Sequence, residues 1–214
     1  MERLIPRAGL RALCLSAVLS LPATANAVLI SEILYDASGT DAGSVFVELY
    51  GAPGTDLSGW SLQGVNGGNG ATYKTVALSG LIPSDGVFTI GDLLTGGGSN
   101  VANTDLNVSV DFQNGPDSVR LFNGVTLIDA IGYGNFTGQI FAGEGMAAPD
   151  PAAGSSLARI SPLIDTGNNL SDFIILATPT PGTVPLTAVP LPASLYLLGS
   201  GLALLGTRRR MRGR

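Results

Sequence analysis

Two glutamates at the centre of apolar runs, Glu32 in VLISEIL and Glu48 in VFVELY, are the residues of this 214-residue chain closest to catalytic groups. If the two runs are neighbouring strands, their carboxylates stand near enough for a glycosidase-style acid and base. Loop aspartates Asp36, Asp41, Asp105, Asp111 and Asp117 offer hard oxygen ligands of the kind Ca²⁺ takes. Neither set carries a motif, because no D-x-D-x-D-G loop closed by glutamate occurs. The glycine-rich stretches NGGNG (66–70) and GGGS (96–99) neither continue into Gly-Lys-Ser/Thr nor open a helix, so they are not phosphate cradles. Glutamates inside strands more commonly accept hydrogen bonds from hydroxyl or backbone groups, or face water. Arg159, inside SLARI, reads as a structural partner for a carboxylate.

The residue inventory narrows the chemistry further. The chain has no histidine and a single cysteine, Cys14, inside an N-terminal export-like stretch. Without residues 1–27 there is no disulfide, no zinc finger, no Cys or Ser-His nucleophile and no His-liganded metal; no cofactor is expected. Between that stretch and the C-terminal tail only Lys74, Arg120 and Arg159 are basic, against fifteen acidic residues, a balance of −12. Such a body repels phosphate backbones, which argues against nucleic acid as a partner.

The elements that must position these groups are short. VLISEIL, VFVELY, GWSLQGV, YKTVAL, GVFTIGD, VSVDFQ, SVRLF, VTLIDAIGY, SLARI and DFIILA are five to nine residues long and rich in β-branched and aromatic side chains. Turn residues separate them, and no 3.6-residue period is sustained; they read as half-buried strands. Asn123-Gly124 predicts a hairpin with two positive-φ residues in a type I′ turn. Trp60, the only tryptophan, sits mid-strand among apolar neighbours and is expected in the core. The whole predicts an all-β antiparallel sandwich.

VLISEILYDASGTDAGSVFVELYGAPGTDLSGWSL resembles the opening of the lamin tail domain, with Ile30 to Ile33, Phe46 to Leu49 and Leu57 to Trp60 on the family's pattern. GPDSVRLFNGVTLIDAIGYG is similar to that family's later hairpin, and GSSLARISPLIDTGNNLSDFIILATPTPGTV to its close, ending on Pro179 to Gly182. Gly51 stands where the family usually has asparagine. The resemblance covers 28–184 and implies an immunoglobulin-like β-sandwich.

Both termini read as targeting signals. Residues 1–27 combine Arg3, Arg7 and Arg11 with an apolar stretch and small residues at Ala25 and Ala27, a signal peptide cleaved after Ala27. A proline-rich linker (185–190) leads to an apolar segment (191–207) and an arginine tail (208–214) expected to stay cytoplasmic, giving one transmembrane helix. Val189, Pro190, Leu191 and Pro192, the thin apolar segment and Arg208, Arg209 and Arg210 together resemble the PEP-CTERM sorting signal of Gram-negative bacteria, with Leu191 where the namesake motif has glutamate. That resemblance implies processing by exosortase and a polysaccharide-rich surface.

The expected function is therefore a non-enzymatic binding or structural module. It is exported through the inner membrane, transiently anchored there, and then placed on the cell surface or in the extracellular matrix. Its implied partners are exosortase, the membrane, exopolysaccharide and surface proteins. The alternative is a secreted carbohydrate-active or metal-assisted hydrolase using Glu32 and Glu48.

Overall fold

A computed structural model of the chain describes residues 27–184. Ala25, the linker, the apolar segment and the sorting residues from Val189 to Arg210 lie outside the described residues. Among the described residues no helix is long and apolar enough to cross a membrane.

The fold is all-β, with two sheets rich in antiparallel pairs. Among the described residues ten strands form: β1 (Leu29–Leu34), β2 (Phe46–Tyr50), β3 (Trp60–Asn66), β4 (Thr72–Ala77), β5 (Val87–Gly91), β6 (Leu106–Asn107), β7 (Asp117–Asn123), β8 (Thr126–Tyr133), β9 (Ser156–Arg159) and β10 (Phe173–Leu176). A single helical turn, α1 (Asn169–Asp172), precedes β10, with the Asn168 side chain capping Leu170 N–H. The larger sheet has the order β10-β9-β1-β2-β5-β6 and the smaller β4-β3-β7-β8. Ile30, Ile33, Val47, Leu49 and Ile90 of the first meet Trp60, Leu62, Val119, Leu121 and Ile131 of the second in one core, so the sheets pack face to face. Trp60 is buried there, as its apolar neighbours predict.

Three expectations change. VSVDFQ (108–113) is not a strand: Val110 and Phe112 are buried in the core, but the Val110 and Asp111 N–H groups both donate to the Asp92 carboxylate rather than to a ladder. The sheet is not wholly antiparallel either, because β6 forms instead at Leu106–Asn107 and runs parallel to β5. In the β7–β8 hairpin Asn123 pairs with Thr126, so the loop is Gly124-Val125, and of Asn123, Gly124 and Val125 only Gly124 has positive φ (+57°).

The strands of the larger sheet are also more deeply buried than half-buried patterning implies. β1, β5 and β9 are buried along their whole length, on both faces. The inner face meets the smaller sheet; the outer face is covered by loops that bury Leu34, Ala37, Val45 and Phe46 in a second small cluster. The strands of the smaller sheet keep exposed or half-exposed alternate residues, as in β3 and β4.

Candidate functional site

The two strand glutamates are brought together. Glu32 and Glu48 are register partners across β1 and β2, and both are buried on the outer face of the larger sheet. A β-bulge at Ser31 sets this register. Above them lies the segment after β10, which crosses the sheet over β1 and β2. Glu32 accepts from Thr180 N–H at 2.9 Å, from the Thr180 hydroxyl at 2.6 Å and from the Ser156 hydroxyl. Glu48 accepts from Gly182 N–H at 2.7 Å, from Ser31 at 2.8 Å and from Thr89 at 3.4 Å. Asn103 donates to the Pro181 carbonyl and fixes the far end. The carboxylates thus bind a strap of their own chain.

The electrostatics of this pair are unusual. Burial pushes the Glu48 carboxyl up to about 7, Glu32 adds to the rise, and the Ser31, Gly182 and Thr89 donors work against it. Thr180→Val should remove the hydroxyl donor and leave one buried Glu32 oxygen short of a partner. We expect a loss of about 1–3 kcal/mol in urea unfolding, whereas Thr180→Ser should cost much less.

A second buried centre joins the two sheets. Arg159 on β9 reaches Asp129 on β8, donating from Nη2 to both carboxylate oxygens at 3.0 and 2.8 Å; both side chains are fully buried. Its Nη1 meets Asp172 at 3.2 Å and Asp165 at 3.7 Å, and the guanidinium stacks on Phe173. The reason for this placement lies in β1. β9 pairs with β1 at Glu32 and Ile33, leaving Ile30 without a strand partner on that side. Ile30 N–H instead donates to Asp129 at 2.7 Å, and Ile30 C=O accepts from Arg159 Nε at 3.0 Å. The side-chain pair takes the place of the missing ladder residue.

Arg159 therefore has the structural role its sequence context suggests. Its partners were not identified from sequence, although lone charges of opposite sign inside VTLIDAIGY and SLARI are the signal that would have linked Asp129 to it.

The loop aspartates proposed as Ca²⁺ ligands do not converge among the described residues. Asp41 accepts from Ala37 N–H and Asp105 from Thr89 N–H, while Asp117 is not in a loop but opens β7, where it accepts from Gly67 N–H. The set that does converge is different: Asp129, Glu144 and Asp165, with carboxylate oxygens within 4.8 Å of one another. One buried Glu144 oxygen has no hydrogen-bond partner, and burial followed by the neighbouring Asp129 charge raises the Glu144 carboxyl to about 7. Arg159 already supplies the positive charge here, and a metal ion would compete with it for Asp129.

An open cleft of about 400 Å³ lies where the strap ends, lined by Pro83, Asp85, Asn103, Thr104, Asp105 and Gly182 among others. No family model matches this sequence, and no curated protein matches it.

Proposed function

We propose that this protein is an exported immunoglobulin-like β-sandwich of the lamin-tail type that works without catalysis, as a binding or structural module at the cell surface or in the extracellular matrix. It reaches that place through a membrane-anchored stage set by its C-terminal segment, with exosortase as the processing partner. One observation carries the reading. The residues best suited to catalysis, Glu32 and Glu48, are covered by the strap and hydrogen-bonded to Thr180 and Gly182, so their chemistry goes into closing the domain on the stem of its own tail. The cleft at the end of the strap supports a hydroxyl-rich polymer as partner, because Asp85, Asn103, Thr104 and Asp105 supply carboxylate, amide and hydroxyl groups suited to sugars.

The test is the intact mass and terminal peptides of the native protein, recovered separately from membranes, cell surface and medium, followed by binding and turnover assays on exopolysaccharide. The expected result is a chain beginning at Val28, lacking Arg208 to Arg214, that binds polysaccharide without cleaving it. Retention of the arginines in the membrane fraction would remove the sorting reading. Polysaccharide cleavage by the parent that is lost in a folded Glu48→Gln variant would replace the binding module with a hydrolase.

A further inference from the structure

The larger sheet ends abruptly at β10. Across the inner face, Ile90, Val47, Ile33 and Leu157 are successive register partners, all completely buried, and the row continues to Ile175, which is 44% exposed. Across the outer face the row Thr89, Glu48, Glu32 and Ala158 is buried and ends in Ile174, which is 41% exposed. Both buried layers thus run out on the last strand, which has two isoleucines open to solvent and one side of its backbone unpaired in the sheet.

The other edges are managed differently. β6 is two residues long, and β4 carries Lys74. β8 is covered: Asn169 accepts from Gly132 N–H and donates to Ala130 C=O, while Ala148 donates to Gly132 C=O. β10, with the sequence FIIL, has no charge and no proline, and among the described residues no covering loop contact of this kind. The exposed apolar residues Ile160, Leu163, Ile164 and Leu170 lie in the β9–β10 connection beside it.

We infer that β10 is a self-association edge: two copies of this chain pair β10 with β10 antiparallel about a twofold axis, joining two larger sheets into one. The occupant is a second copy because the edge is self-complementary. An isologous pairing sets apolar against apolar and an open backbone against its like. Charge points the same way. In a body with a balance of −12, β10 itself carries no carboxylate; the nearby Asp172 is buried against Arg159, and Asp165, which is exposed, lies 3.7 Å from the same guanidinium. Two copies meet there across an uncharged strand, with each of these two carboxylates set against an arginine.

The chain's one natural cysteine, Cys14, permits a direct test in the full-length protein made in its producing cells. In a Cys14→Ser background, Ile174→Cys and Ile175→Cys each place a thiol at the edge, and Ile140→Cys places one at an equally exposed position elsewhere. Under mild oxidation at least one edge variant should run at twice the monomer mass and return to monomer on reduction, while the Ile140→Cys control stays monomeric. Paired antiparallel residues bring Cα atoms within disulfide range. As a second measurement, the native protein should sediment as a dimer with a melting temperature that rises with protein concentration, and Ile175→Lys should halve its mass and abolish that concentration dependence while still unfolding cooperatively. No doubling at either edge position, equal doubling in the control, or a native protein that sediments as a monomer throughout the micromolar range would overturn the inference.

Discussion

Replacing Arg159 by methionine should lower the stability of this domain by about 3–5 kcal/mol, a large share of the 5–15 kcal/mol that holds a typical domain folded. Methionine matches much of the side-chain volume but leaves Asp129 and Asp172 buried with no guanidinium between them. Ile30 C=O loses its donor at the same time. Arg159→Lys keeps the charge but not the fork that meets Asp129 with both oxygens, and it too should be clearly destabilised. Adding Asp129→Asn to the methionine variant removes one stranded charge and should recover part of the loss. Trp60, buried in the core, supplies the fluorescence signal for urea unfolding. A methionine variant as stable as its parent would show that the inter-sheet ion pair contributes nothing to the fold.

The second large effect is on pH dependence. The Glu48 carboxyl rises from 4.5 to about 7 on folding, so between these values the native state holds a proton that the unfolded chain has lost. Stability from this group is complete below the unfolded pKa and is lost as pH rises through the folded one, so the domain should be firmer at pH 5 than at pH 8. A shift of that size corresponds to about 3 kcal/mol. Glu144, also raised to about 7, acts in the same direction. Glu48→Gln replaces the protonated acid with a neutral amide that still accepts from Gly182 N–H. The variant should remove the Glu48 part of the slope, leaving the part due to Glu144, and match or exceed the parent at pH 8. Unfolding curves at pH 5, 6.5 and 8 decide this; a parent more stable at pH 8 than at pH 5 would contradict the burial of the Glu48 carboxyl beneath the strap.

Most of the strands were legible because strand identity is largely local. β-branched and aromatic runs between Gly, Asn and Pro turns mark nine of the ten observed strands within a few residues. The tenth, β6, is only two residues long and no run marks it, whereas VSVDFQ just after it has the composition of a strand and does enter the core through Val110 and Phe112, but Asp92 captures its backbone donors. Nothing in those six residues reports a carboxylate 18 positions away. The hairpin after β7 was likewise visible from Asn-Gly, while its loop lies one residue later because β7 extends through Asn123.

The candidate site divides in the same way. That Glu32 and Glu48 stand on neighbouring strands follows from the two apolar runs being consecutive and short, and that Arg159 is structural follows from its place inside a strand. What these groups touch does not follow. Thr180 and Gly182 lie 148 and 134 positions from the glutamates they bind, and Asp129 lies 30 from Arg159. Sequence alone thus determined the all-β class, the absence of histidine and cysteine chemistry from the body, and its acidity, since each is set by composition or local pattern. Only the tertiary structure decided that the larger sheet is buried on both faces, that its carboxylates close on a strap and that one edge strand is left open. Those outcomes depend on which distant segments reach each buried polar group, and a buried polar group takes whatever donor the fold delivers.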